Sequence, residues 1–260
     1  MPMPIRKRHQ IPDLRVSGAW TIRCFKRAAW GYAKGRDCSD SPSPRRAGRR
    51  EDLVKIMSIL NRLAPKEIVR TCKNAMMDLR YGGFSGGSTR NLSPGANDNV
   101  STDYAIMPQL FAGRISSRDV LVDIGCGSGR VINWWLSQGF TNRIYGLEQL
   151  QDAGESTRQR LRNFENVTII VGDAIASIPD DGTFFYLFNP FDEPTMQRFV
   201  NRLRTLAERT QITVLYYAPV HINVFESDPF WKVEQLDILI PQAGHFLDRH
   251  KRFAVVKRAH

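Results

Sequence analysis

The run Val120-Leu-Val-Asp-Ile-Gly-Cys-Gly-Ser-Gly-Arg130 constrains this chain more than any other segment. Four apolar residues with one acid among them are closed by Gly125, Gly127 and Gly129, which reads as a buried parallel strand, a tight turn and the start of a helix. Glycine here lets backbone lie directly against a ligand. The spacing is G-x-G-x-G and no Gly-Lys-Ser/Thr follows, so the phosphate-cradling Walker loop is excluded and a nucleoside fits better than a triphosphate.

Downstream, apolar segments alternate with helical ones. Strands are expected over 119–124, 143–147, 167–171, 183–188 and 212–217, separated by helices over 130–138, 150–164 and 193–208 and by a short helical turn over 175–178. In the last helix Met196, Phe199, Val200, Leu203 and Leu206 recur at helical spacing and face the sheet. Such repetition builds a parallel sheet. Two further strands are expected over 232–240 and 251–257, and the link 241–250 is too short for a parallel crossover, so this pair is antiparallel. The expected fold class is therefore α/β: a Rossmann-like, doubly wound, mostly parallel seven-stranded sheet with an antiparallel C-terminal hairpin, preceded by a helical N-terminal arm.

A chain of 260 residues with 42% apolar content has enough material for a full core. Its formal charge of +11 is unevenly placed: 13 of 37 basic and 3 of 26 acidic residues lie in 1–50, leaving 24 basic against 23 acidic residues beyond. A near-neutral body gives no long-range attraction to a polyanion, so contact with nucleic acid or an anionic membrane would fall to the leader 1–50. That leader reads as a disordered, Pro- and Arg-rich extension, with a basic amphipathic anchor over 18–33, a transit peptide, or a true start at Met57 as open alternatives. Cys24, Cys38, Cys72 and Cys126 show no C-x-x-C spacing and no companion histidine cluster, so neither a metal site nor a disulfide framework is expected and the cytoplasm is the expected compartment. No run of about 18 apolar residues exists to span a bilayer.

Residues 51–100 form the expected arm. Leu53, Ile56, Met57, Leu60 and Leu63 mark one helix, and Pro65 opens a second with Ile68, Val69, Cys72, Ala75, Met76 and Leu79 along its face. The glycine-rich span 81–101 is long enough for a lid, or for an exposed connector. Thr102-Asp103 then offers a cap for a helix carrying Ile106, Met107, Leu110 and Phe111, at the head of a domain over 101–260.

Five parallel strands and a terminal antiparallel pair, carrying these motifs, resemble the seven-stranded class I S-adenosylmethionine-dependent methyltransferases over about residues 100–260. The resemblance implies S-adenosyl-L-methionine as cofactor. It places Asp123, Gly125, Cys126, Gly127 and Gly129 against the methionine part, Glu148 on both ribose hydroxyls, and Asp173 with Ala174 at the adenine edge. Independently, ligands of open α/β sheets settle outside the carboxyl ends of strands near the switch in strand order, where these motifs fall, and a carboxylate can accept from two hydroxyls at once. Each acid also has a plainer reading: Asp123 as a cap of the following turn, Glu148 as a solvated strand end, Asp173 as an Asx turn.

Phe188-Asn-Pro-Phe-Asp192 ends the fourth strand and resembles the Asn-Pro-Pro-aromatic motif of methyltransferases that modify amine nitrogens, with the second proline missing. By that resemblance Asn189, Pro190 and Phe191 shape the transfer site, and the acceptor is a nitrogen of a protein lysine or a small molecule. The shortened motif fits a planar base less well. A nucleic-acid base such as one in RNA stays an alternative, as do a non-catalytic cofactor-binding module and a nicotinamide dehydrogenase, the last disfavoured by the glycine spacing. Asn189-Pro190 also reads simply as a turn out of the strand. A shorter likeness to seven-strand protein lysine methyltransferases implies that Tyr104 closes over the cofactor or lines a lysine channel. His221 and His245 fall in loops and carry no assigned role.

Overall fold

The computed structural model describes residues 65–83, 88–89, 99–239 and 251–259. The leader, the helix expected over 51–63, most of the glycine-rich span, the link 241–250 and His245 lie outside the described residues. The chain divides into two compact units, Met1–Val69 and Arg70–His260. Of the first, only the opening of one helix is described; the second holds the sheet and the helices packed on it.

Helix α1 (Pro65–Arg80) begins at the expected proline, where a missing N–H costs nothing. Its buried positions from Arg70 onward are Cys72, Ala75 and Asp78. Met76, expected on this face, is 56% exposed. Steps of three residues carry the buried line past 76, and its third place goes to an acid that finds a partner elsewhere in the fold.

The seven-stranded sheet consists of β1 (Leu121–Ile124), β2 (Ile144–Glu148), β3 (Val167–Val171), β4 (Phe184–Phe188), β5 (Thr213–Tyr217), β6 (Trp231–Asp237) and β7 (Arg252–Arg258). Its order is β3-β2-β1-β4-β5-β7-β6. The first five strands pair in parallel, whereas β7 runs antiparallel to both neighbours, β5 and β6. The expected architecture is present, with strand limits moved by at most three residues. β1 starts at Leu121 rather than 119 because side chains take over there: Val120 N–H donates to Thr183 Oγ1 (2.9 Å), whose hydroxyl donates to Asp119 Oδ1 (2.9 Å).

Alternation along the strands sends residues to two separate cores. Leu121, Phe184 and Leu215 pack with Ile106, Phe111 and Trp135 on one side; Val122, Phe185 and Val214 pack with Met196, Phe199 and Leu203 on the other. Helices α2 (Met107–Phe111), α3 (Arg130–Ser137) and α4 (Gln151–Leu161) contribute to the first core, α5 (Glu193–Ala207) and the single turn α6 (Asn223–Glu226) to the second. Fully burying one such large apolar side chain contributes about 1.5–3 kcal/mol. The cap expected for α2 is displaced: Ile106 precedes the helix without a side-chain bond, while Asp103 Oδ1 accepts from Ala105 N–H (2.9 Å) one turn earlier. α4 stops at Leu161, short of the expected 164, and Phe164 N–H closes the next turn on the Leu161 carbonyl (3.0 Å). The segment expected as a helical turn over 175–178 is a hydrogen-bonded turn with Ser177 N–H on the Asp173 carbonyl (3.1 Å). No helix among the described residues is long and apolar enough to cross a membrane.

α4 is mostly polar, and Gly154 is where it lies closest to β3: an added Cβ would stand 2.6 Å from Val171 Cγ2 and 3.2 Å from its Cγ1. Valine is stiff at χ1 and cannot swing aside. Gly154→Ala should gain about 1 kcal/mol of helix propensity yet lose more to overpacking, about 1–3 kcal/mol. The expected outcome is a lower denaturant midpoint, and a raised midpoint would show that α4 moves freely on β3.

Candidate functional site

The sheet order reverses between β1 and β4, and a cleft opens at the carboxyl ends of these strands, as expected for such a sheet. The turn after β1 makes one wall. Gly125, Gly127 and Gly129 have φ of +69°, +51° and +67°, a conformation that L side chains adopt at a steric cost. Gly125 and Cys126 N–H groups both donate to the Leu147 carbonyl (2.8 and 2.9 Å), fastening the turn to β2. A Cβ on Gly125 would meet Pro190 Cβ at 3.4 Å, so the turns after β1 and β4 stand face to face.

Glu148, at the end of β2, is 3% exposed. Its Oε2 accepts from Gly127 N–H (2.7 Å) and its Oε1 from Leu150 N–H (2.8 Å). Each oxygen keeps a second lone pair for a ligand hydroxyl. From α4, Thr157 Oγ1 donates to the Gly127 carbonyl (2.8 Å) and Arg160 donates to the Ser128 carbonyl, so the glycine turn is tied from behind at successive residues. Asp123 shares the cleft with Glu148. Burial first, and the Glu148 charge second, push the Asp123 carboxyl up to about 8. Burial likewise raises the Cys126 thiol, with Asp123 and Glu148 adding to it.

Behind the glycine turn lies a polar cluster. Arg130, the first residue of α3, forms an ion pair with Asp78 of α1 at 2.6 Å, with side-chain exposures of 7% and 0%. Tyr104 hydroxyl donates to Asp78 Oδ1 (2.8 Å), and the Arg130 guanidinium stands 5.4 Å from the Tyr104 ring centre. Burial and the nearby Asp78 charge raise the Tyr104 phenol. Thr102, whose carbonyl accepts from Arg130 Nη1 (3.4 Å), shares a buried 2.7 Å hydroxyl hydrogen bond with Tyr186, and Tyr186 sits beside Asp123 in the parallel register of β1 and β4.

The exits from β4 and β5 are strained. Asn189 (φ +41°) and Ala218 (φ +49°) turn the chain out of β4 and β5 in the left-handed region, a conformation that costs about 1–2 kcal/mol at a non-glycine residue and clusters at functional sites. Asn189 Oδ1 accepts from Tyr216 hydroxyl (2.9 Å), which in turn accepts from His221 N–H (3.2 Å).

Of the twelve residues singled out from the sequence, Asp123, Gly125, Cys126, Glu148, Ala174, Pro190 and Phe191 line the cleft. Gly127 and Gly129 form the turn behind its lining. Tyr104 belongs to the cluster with Asp78. Asn189 is directed to Tyr216. Asp173 is exposed, and its Oδ1 accepts from Ile175 N–H (2.8 Å) as an Asx-type turn. Sequence reasoning missed Arg130, Thr102, Tyr186 and Phe188, which also line the cleft. Two of them carried a signal: Arg130 is the one charge in a helix whose other residues are uncharged, and Tyr186 is the polar tip within Phe184-Phe-Tyr-Leu-Phe188. Among the described residues no cluster of His, Cys, Asp and Glu suits a metal ion.

No protein-family model matches the sequence, and no curated protein matches it. Solved structures similar in fold include a candidate O-methyltransferase from Klebsiella pneumoniae, at 12% identity over 73% of this chain and 89% of that one, with a TM-score of 0.49. A SAM-dependent O-methyltransferase from Thermotoga maritima matches at 14% identity over 62% of this chain and 67% of its own, with a TM-score of 0.47. A precorrin-6y C5,15-methyltransferase from Geobacter metallireducens matches at 14% identity over 61% and 87%, with a TM-score of 0.44.

The raised Asp123 carboxyl sets a pH dependence. The folded protein holds this proton up to about pH 8, whereas an unfolded aspartate releases it near pH 4. The folded state therefore binds more protons in that window, and stability should fall as pH rises through it. Asp123→Asn should flatten the decline and raise the thermal midpoint at pH 8–9; an identical slope in both proteins would show that Asp123 is not the titrating group.

Proposed function

We propose that the cleft binds S-adenosyl-L-methionine and that the protein is a methyltransferase. One observation carries this reading: Glu148, at the end of β2, holds the glycine turn after β1 by its own carboxylate while lining the same cleft. Loop, acid and cleft are thereby one unit at the switch point of a parallel sheet. The residues fit such a group. Gly125 leaves bare backbone opposite Pro190, in a space that a side chain would narrow. Asp123 and Glu148 line the cleft together, and the Glu148 carboxylate keeps lone pairs that can accept from the hydroxyl donors of a ligand.

When bound, the cofactor supplies an activated methyl group on a sulfonium, and the protein's task is alignment and exclusion of water. In this reading Glu148 keeps the turn closed and accepts the ribose hydroxyls. Ala174 lies in the cleft wall where the adenine would stack, and Asp173 shapes the turn that brings it there. The Pro190 carbonyl and the Phe191 ring, fixed by packing on Phe199 at 5.4 Å between ring centres, border the acceptor side. The acceptor is proposed to be a nitrogen, as in a lysine side chain or a small amine, with Asn189 holding the strained turn through Tyr216.

Calorimetric titration of the full chain with S-adenosyl-L-methionine should give one site per chain. Gly127→Val should abolish it, because a β-branched residue at φ +51° cannot keep the turn that Glu148 closes. Unchanged affinity in a folded Gly127→Val protein would remove the glycine turn from the site. Labelled methyl should then pass into one fraction of a lysate separated into protein, nucleic acid and small molecules. Binding without transfer into any fraction would make the protein a cofactor-binding module.

A further inference from the structure

The Tyr216 hydroxyl joins two strained turns that core packing alone does not require to be joined. Tyr216 is fully buried, and its ring belongs to the core shared with α5 and α6, a place that a phenylalanine would fill as well. Only the hydroxyl reaches further. It donates to Asn189 Oδ1 (2.9 Å) in the turn after β4 and accepts from His221 N–H (3.2 Å) in the turn after β5. Burial pushes the phenol up to about 12, against the lowering pull of the His221 and Val220 N–H groups. The proton that makes the bond to Asn189 is therefore in place throughout the neutral range.

Each turn carries a non-glycine residue in the left-handed region, Asn189 at φ +41° and Ala218 at φ +49°. Such backbone persists only where surrounding contacts over-determine it, and this hydroxyl is a contact common to both turns. On the other face of the sheet, Tyr217 packs on Phe188 with ring centres 4.4 Å apart. The ends of β4 and β5 are thereby tied to each other from both faces. Directly after Asn189 come Pro190 and Phe191, which line the cleft, and Pro190 Cβ stands 3.4 Å from where a Cβ on Gly125 would lie. A change of backbone at Asn189 passes straight to them.

We infer that Tyr216 is a positioning residue for methyl transfer: its hydroxyl holds the left-handed turn at Asn189 and so sets where Pro190 and Phe191 meet the acceptor. This rests on the methyltransferase reading of the cleft and adds to it a residue of β5 that is not part of the cleft lining.

The test takes two readouts on the full chain: calorimetric affinity for S-adenosylhomocysteine, and the initial rate at which labelled methyl passes from S-adenosyl-L-methionine into a cell lysate. Tyr216→Phe leaves Glu148 and the glycine turn untouched, so its affinity should stay within about threefold, while transfer should slow roughly 10- to 100-fold, the scale on which a displacement of about 1 Å acts. Combining Tyr216→Phe with Asn189→Gly should regain part of the lost rate, because glycine takes a left-handed φ without being held there. Transfer at the full rate in Tyr216→Phe would overturn the inference and leave the methyltransferase reading standing. A loss of affinity as large as the loss of rate would overturn it too, by making the hydroxyl a support of the whole fold. So would a double variant no faster than Tyr216→Phe alone, which would make the Asn189 side chain itself the contact with the acceptor. An unchanged protein that transfers no methyl at all sinks the methyltransferase reading and this inference together.

Discussion

The Glu148 carboxylate is the joint on which the site is built. One side chain accepts from the backbone of the turn after β1 and from the backbone of the turn after β2, so two loops far apart in sequence behave as one wall. Hydrogen bonds to a charged acceptor contribute about 1.5–3 kcal/mol each, and burying the acid offsets much of that. What remains is geometric: a turn of three left-handed glycines has one shape once its central N–H is fixed. Thr157 and Arg160 reinforce that shape from α4, and Glu148, held beside Asp123, adds to the burial that raises the Asp123 carboxyl.

The framework was legible because its signals are local or periodic. Strand β3 was readable to the residue from Val167-Thr-Ile-Ile-Val171, and α5 from the spacing of Met196, Phe199, Val200, Leu203 and Leu206. The antiparallel sense of β6 and β7 followed from the shortness of the link alone. The glycine turn was legible because left-handed backbone leaves a mark in composition. What stayed hidden depends on partners distant in sequence. Asp78 sits on a helical stripe where a methionine looked the better candidate, and partners distant in sequence, Arg130 fifty-two residues on and the Tyr104 hydroxyl, account for its burial. Asp173 looked the same as Glu148 on paper, both being acids at strand ends; one proved buried and bonded to a loop, the other exposed and bonded to its own turn. Asn189 was legible as a turn residue, and its link to Tyr216 was not, because it crosses from one strand end to the next.

The polar cluster of Asp78, Arg130, Tyr104, Asn133 and Arg160 joins three helices to the back of the glycine turn. Networks of this kind are worth little to stability in comparison with an apolar core, yet removing one partner leaves the others uncompensated. The cluster therefore acts as a device for fixing geometry. It sets the angle at which α3 leaves the turn, and with it the direction of every backbone N–H in the first helical turn.

The placement of β7 has its own consequence. Among the described strands it is synthesised last, yet it lies inside the sheet, between β5 and β6. During synthesis β6 has no neighbour to join, and the ladder edge of β5 stays open until β7 arrives. An unpaired edge flanked by Val214, Leu215 and Tyr216 is a template for pairing with other chains. The nascent protein thus passes through a stage in which this apolar edge is uncovered, and β7 acts as a keystone that closes it.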